Sequence, residues 1–267
     1  MGLSPTVTRI QVTDSSLLSL REVCVGFRRG ERHLVPVLRA VSLELDAGET
    51  VAVLAQRARG KTTLLRVASG MQRPGAGRVC FEGRDLWECS DRERSRLLAR
   101  RIALVRPVAP GVDVPMLAHV EAPLSVVCGR REARRGALAA LERVGASECA
   151  GQRWGSLADW ERALAALAQG IARKPSLLLV DDLTATLGLV ETDELAQLIY
   201  TLGGEMGMGV LMSVSDANAA AWSERIATLS GGELLEPPKP PEGEGGSVIE
   251  FPRNSSAGPD VRRGAAS

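Results

Sequence analysis

Aromatic side chains are scarce in this chain: three Phe, four Trp and one Tyr, 3% of 267 residues. A core must therefore be built from aliphatic groups. At 45% hydrophobic content there are enough of them for one large domain, or one domain with a lobe. Long apolar runs are missing as well. None reaches the roughly 18 residues that a membrane span requires, so any membrane role is expected to come through a partner. The N-terminus has no basic-then-apolar signal segment. Excess charge of one sign is also absent: 33 Lys and Arg against 32 Asp and Glu leave a net +1, which gives no field for holding nucleic acid. Only two histidines occur, His33 and His119, and neither has a partner at metal-ligand spacing. The five cysteines (Cys24, Cys80, Cys89, Cys128, Cys149) form no CxxC or metal pattern, and read as reduced thiols of a cytosolic protein. There is no internal repeat and no guanine-reading Asn-Lys-x-Asp.

What is present has a clear organisation. Residues 1–16 are rich in Ser and Thr without a period, and are expected to be a flexible N-terminus. From residue 237 to residue 267 Pro, Gly and Ser dominate, a composition that reads as a disordered tail; within it Val248-Ile249-Glu250-Phe251 is a short apolar island that could dock. Between the ends, at 17–236, short apolar runs alternate with helical patterns. Leu17–Phe27, Val41–Leu45, Val51–Leu54, Arg78–Phe81, Ile102–Val105, Leu177–Val180, Val210–Val214 and Ile226–Leu229 read as strands. Ser90 followed by Glu93 is a capping-box start for a charged helix. A helix-rich stretch covers about 115–172. There Leu138, Leu141 and Val144 are expected on one buried face, and Trp160, Leu164, Leu167 and Ile171 on another. The expected fold class is α/β: a mainly parallel sheet flanked by helices, with a helical lobe inserted between two core strands.

Chemistry concentrates at two places. Ala55-Gln-Arg-Ala-Arg-Gly60-Lys61-Thr62-Thr63 lies between an apolar strand and a helix-like run, where backbone N–H groups at a helix start face an anion. Lys61 would reach the β and γ phosphates of a nucleotide, and the Thr62 hydroxyl would hold Mg²⁺. The loop pattern calls for Gly at its first position, and Ala55 stands there. The second place is the strand Leu177–Val180, which delivers Asp181 at its carboxyl end, beside Thr62 in the magnesium shell. Asp182 follows as a candidate water-activating base.

With both elements in hand, the chain resembles the ATP-binding cassette (ABC) family over about 17–236, and most closely the branch serving lipoprotein-release and macrolide-export systems. The resemblance rests on Val37-Leu38-Arg39-Ala40-Val41-Ser42-Leu43, on Gly83-Arg84-Asp85-Leu86 with Ser90-Asp91-Arg92-Glu93, and on Arg173-Lys174-Pro175-Ser176 before the Asp181 strand. It implies a P-loop NTPase core with an antiparallel β subdomain and a helical lobe. It implies ATP and Mg²⁺ as cofactors, and a subunit that is cytoplasmic and peripheral on the inner face of the membrane. The implied partners are an integral membrane permease and a second ATPase subunit, in a homodimer or a heterodimer. By the same resemblance Gly60, Lys61, Thr62 and Thr63 contact phosphate, and Thr62 with Asp181 the metal. Phe27 falls where an aromatic stacks on adenine; a core phenylalanine is the alternative.

Several positions depart from the family pattern. Ala55 and Ala58 replace loop glycines, which costs about 1 kcal/mol or more where the backbone is left-handed. Arg57 and Arg59 could compensate in charge, or be plain solvated loop residues. Pro107 stands for the glutamine after the Ile102–Val105 strand. Asp182 replaces the catalytic glutamate, Leu183 the next proline, Gly188 the aspartate of the dimer-contacting loop, and Ser215 the switch histidine. Leu157-Ala158-Asp159-Trp160-Glu161 occupies the place of the Leu-Ser-Gly-Gly-Gln signature. Leu229-Ser230-Gly231-Gly232-Glu233 spells that signature more closely, but has no helix behind it and is expected to be a hairpin. The implied function is an ATP-binding transport subunit with weak or absent hydrolysis, Asp182 and Ser215 marking its degenerate catalytic positions. The alternative is a nucleotide-independent scaffold or regulatory pseudo-ATPase.

Overall fold

The computed structural model describes residues 16–29, 33–56 and 59–235. The expected flexible start, the tail with its Val248–Phe251 island, and the pair Arg57 and Ala58 lie outside these residues, apart from Ser16.

Two sheets organise the fold. The first strands, β1 (Leu18–Arg29) and β2 (His33–Leu45), pair antiparallel. β1 also pairs antiparallel with β4 (Ala76–Phe81), and β4 with the two-residue β5 (Arg84–Asp85), in the order β2-β1-β4-β5. β2 begins eight residues before the expected Val41 and runs through Pro36. Proline is tolerated there because β2 is the edge of its sheet, where a missing N–H breaks no ladder.

The second sheet has the order β10-β9-β3-β8-β7-β6. Its members are β3 (Thr50–Leu54), β6 (Ile102–Val105), β7 (Leu177–Asp181), β8 (Gly209–Val214), β9 (Arg225–Ser230) and β10 (Glu233–Leu235). All neighbours are parallel except β9 and β10. Those two form the expected hairpin, joined by Gly231 (φ +60) and Gly232 (φ +89). Two consecutive left-handed residues are what a tight turn matched to strand twist demands, so this Ser-Gly-Gly caps no helix.

The parallel strands β3, β6, β7 and β8 are mostly apolar because both faces are covered. Alternation along each strand divides the side chains: Val51, Val53, Leu177, Leu179 and Leu211 join one core with the antiparallel sheet and helix α1 (Lys61–Ala68). Ala52, Leu178, Val180, Val210 and Met212 join the other. That second core is closed by α3 (Met116–Glu121), α4 (Arg130–Arg143), α5 (Asp159–Ile171), α6 (Leu189–Met206) and α7 (Ala217–Ala220). Helix α2 (Asp91–Arg100) begins with the expected capping box: Ser90 Oγ accepts from the Glu93 N–H and the Glu93 carboxylate from the Ser90 N–H.

The face expected on α4 is only partly buried. Leu141 and Val144 are in the core, but Leu138 is 44% exposed. The buried stripe instead runs Ala133, Ala137, Ala140, Leu141, and three of its four positions are alanines that a scan for large apolar residues passes over. Small residues let helices approach closely. The same holds at Gly170 on α5, where an added Cβ would overlap Val105 Cγ2 of β6.

Candidate functional site

Three strand ends of the six-stranded sheet converge on one point. β3 leads into the loop whose first residue, Ala55, donates its N–H to Val214 O of β8 at 3.1 Å. The loop ends at Gly60, the residue before α1, with φ +99. A side chain is excluded there twice over: the backbone is left-handed, and a Cβ would lie 3.1 Å from Val37 Cγ1 and 3.2 Å from Val37 O of β2. Val37 also lies close to the β9–β10 turn. The neighbouring Arg39 N–H donates to Gly232 O at 2.7 Å, and a Cβ on Gly232 would sit 2.9 Å from Val37 O.

Lys61 opens α1 and is only 5% exposed. Its ammonium donates to Ala55 O at 3.0 Å and to Ser215 Oγ, and pairs with Asp182 Oδ2 at 3.3 Å. The ammonium thus has two hydrogen-bond acceptors and one ion-pair partner. Ser215 Oγ in turn donates to the Asp182 carboxylate, 3.2 Å from Oδ1 and 3.4 Å from Oδ2. Thr62 Oγ1 donates to Asp181 Oδ1 at 3.1 Å. Asp181 ends β7 and is 7% exposed. Asp182 follows with φ +49, an uncommon backbone for a residue other than glycine. Its N–H is held by Ser213 O at 3.2 Å and Ser213 Oγ at 3.0 Å. A sparsely populated backbone held by surrounding bonds is a frequent mark of a functional site.

Lys61, Thr62, Asp181, Asp182 and Ser215 are therefore brought together, although 154 positions separate the first from the last. Gly60 and the half-buried Thr63 frame the same helix start. Phe27 is 49% exposed, so it is no core residue. It pairs across the ladder with Val35, two residues before the Val37 that touches Gly60. Ser213 escapes a reading of the sequence: it hides in the apolar run Val210–Val214. The signal was there, since it is the one hydroxyl on a strand otherwise without polar side chains. It lies opposite Asp181 in the β7–β8 register, and its Oγ donates to Asp181 Oδ1 at 3.1 Å.

Other sites expected from the sequence fall elsewhere. Pro107 lies in the exposed segment after β6. Asp159 and Trp160 open α5, where the Glu161 carboxylate accepts the Ala158 N–H at 2.8 Å and Asp159 pairs with Arg162 at 3.0 Å. Gly188 precedes α6, and Leu183 is buried. A cleft of about 930 Å³ lies between α4 and the ends of α2, α5 and α6, and contains none of the Lys61 cluster.

The cluster can hold an anion at the helix start and a hard cation at the Thr62–Asp181 pair, since hydroxyl and carboxylate oxygens suit Mg²⁺. Among the described residues no group of three or more His, Cys, Asp or Glu could hold a metal ion. The pair fits a magnesium that draws its remaining ligands from phosphate and water. The sequence pattern of the ABC transporter family matches residues 38–185. The chain belongs to the ABC transporter family. It is 30% identical to the lipoprotein-releasing system ATP-binding protein LolD of Oleidesulfovibrio alaskensis, over 84% of this chain and 97% of that protein. It is 29% identical to the macrolide export ATP-binding/permease protein MacB of Syntrophobacter fumaroxidans, over 91% of this chain but 33% of that longer protein. The dimeric structure of MJ0796, a bacterial ABC transporter cassette, superposes with a TM-score of 0.73 at 25% identity, covering 81% of this chain and 96% of that one. ABC cassettes of this kind work with membrane permeases. No helix among the described residues of this one is long and apolar enough to cross a membrane.

Proposed function

We propose that this chain is the nucleotide-binding subunit of an ABC transport complex that grips Mg-ATP and hydrolyses it slowly or not at all. The observation that carries the reading is the joint placement of Lys61, Thr62 and Asp181 at one strand-to-helix junction, with the Thr62–Asp181 contact at 3.1 Å. Bound Mg-ATP would supply a triphosphate whose charge the Lys61 ammonium and the metal share. Gly60 lets the backbone approach, Thr63 extends the helix start, and Phe27 offers an exposed ring beside the loop for a base.

Weak turnover follows from what the remaining positions provide. Asp182 keeps a carboxylate but is one methylene shorter than glutamate, and its oxygens are already engaged by Lys61 and Ser215. A base in that state is poorly placed to take a proton from water. Ser215 carries no charge, and Pro107 offers no side-chain amide. Asp159 and Trp160 bring negative charge and bulk to the start of α5, where a facing subunit would meet phosphate. Loss of a single transition-state group typically costs about 2–4 kcal/mol, and several such losses, though not additive, place turnover far below that of an intact relative. A permease subunit and a second ATPase subunit, either a copy or an intact relative, complete the proposed assembly on the cytoplasmic face of the membrane. The domain proposed to do this spans 17–236.

A scaffold role without nucleotide is the second reading. One observation favours it: the Lys61 ammonium already has Ala55 O, Ser215 Oγ and Asp182 as partners within the chain. Calorimetry of Mg-ATP binding together with phosphate release decides between them. The native chain is expected to bind, Lys61→Ala to lose binding at least tenfold, and Asp182→Glu with Ser215→His to raise phosphate release. Ordinary turnover by the native chain would refute the low-activity reading, and no heat of binding from folded protein would favour the scaffold.

A further inference from the structure

The groups at the helix start divide by what they do to charge. Thr62, Asp181 and Ser213 form one linked set around Asp181 Oδ1, open to a cation. Lys61, Ser215 and Asp182 form a second set in which a cation and an anion already neutralise each other. Asp182 is not there by chance of rotamer. Its left-handed backbone and the two hydrogen bonds its N–H donates to Ser213 O and Oγ fix the residue at the end of β7, and Ser215 holds the carboxylate toward Lys61. The buried lysine needs a counter-charge, and Asp182 supplies it from within the chain.

We propose that Asp182 is a built-in anion occupying the place of a terminal phosphate, so that the site accepts a nucleoside diphosphate more readily than a triphosphate and Asp182 sets that preference. This rests on the reading of the site as a nucleotide cradle. A diphosphate, whose last phosphate reaches Lys61 without a further group beside Asp182, can share the lysine with the carboxylate. A triphosphate must place one further negative group beside Asp182, whose side chain is only 24% exposed and has no other described cation to turn to. Two like charges at this spacing in a partly buried site repel, and separating the pair leaves Asp182 to seek water instead. Ser215 strengthens the effect: it is neutral, and its hydroxyl proton already faces Asp182. The consequence is a subunit that rests in a diphosphate-bound state and responds weakly to the terminal phosphate.

The test is equilibrium binding of ADP and of a non-hydrolysable ATP analogue, both with Mg²⁺, to the full native chain and to Asp182→Asn, Ser215→Ala and Lys61→Ala. Folding is checked for each by circular dichroism. The native chain is expected to bind ADP at least fivefold more tightly than the analogue. Asp182→Asn, isosteric but uncharged, is expected to tighten the analogue about tenfold while moving ADP less than threefold. Ser215→Ala is expected to shift the ratio in the same direction, and Lys61→Ala to weaken both ligands. Analogue binding as tight as ADP to the native chain overturns the proposal, and so does an Asp182→Asn effect equal for both ligands. Binding of neither ligand by native chain or Asp182→Asn overturns the nucleotide-cradle reading as well, which separates the two failures. Binding of the analogue only after Asp182→Asn supports the proposal in its strongest form.

Discussion

His119, which has no partner at metal-ligand spacing in the sequence, sits among structural contacts. Its ring lies 4.5 Å from that of Trp154, and the Gln169 side chain donates to its backbone carbonyl at 2.8 Å. Burial holds its pKa below the ordinary 6.5, because the charged ring would lose water. The unfolded chain therefore takes up this proton at a higher pH than the folded one. The contribution to stability is fully present above about 6.5 and is lost as pH falls through the folded value. A urea titration of the native chain between pH 7.5 and pH 5 is expected to show falling stability, and His119→Gln a flatter profile. The cysteines tell a similar story. All five are free, and burial raises the thiol pKa of Cys80 and Cys149, which keeps them protonated and unreactive.

At the scale of elements, glycine and alanine do more than their size implies. Gly170 sits where α5 crosses β6, and a methyl there would overlap Val105. Gly170→Ala is expected to lower stability by about 1–3 kcal/mol, read as a reduced denaturation midpoint with an unchanged slope. The parallel strands were legible in the sequence because they are buried on both faces and so read as unbroken apolar runs. The Ser90–Glu93 helix start and the Gly231-Gly232 turn were legible because their chemistry is local. Leu138 and the start of β2, expected at Val41, misled for the opposite reason. Which face of α4 is buried depends on small residues packing against α3 and α5, and whether a proline is tolerated depends on which strand is the edge. Neither fact is contained in a short window. The candidate site divides in the same way. Lys61, Thr62 and Asp181 could be found from motif spacing, whereas the bonds among Asp182, Ser213 and Ser215 exist only once β7 and β8 are neighbours.

For the molecule as a whole, the placement of Asp159 and Trp160 bears on assembly. They open α5 on a helix start that would otherwise favour an anion. In a copy-to-copy sandwich each would meet the other subunit's phosphates. Sedimentation velocity with Mg-ATP is expected to show the native chain remaining monomeric. Mixing with an intact ATPase partner, or the double change Asp159→Gly with Trp160→Gly, is expected to yield a heavier species. A native chain that dimerises with nucleotide as readily as the double variant would exclude a role for these two side chains.

Val37 gives the architecture a long reach. It lies close to both Gly60 and the Gly232 turn, residues 172 positions apart in the chain. The hairpin at the far end thus acts as a backstop for the loop that receives the anion. Whatever tugs on β9 and β10, whether a docking protein or a mutation, will be felt as slack or pressure at a place it never touches.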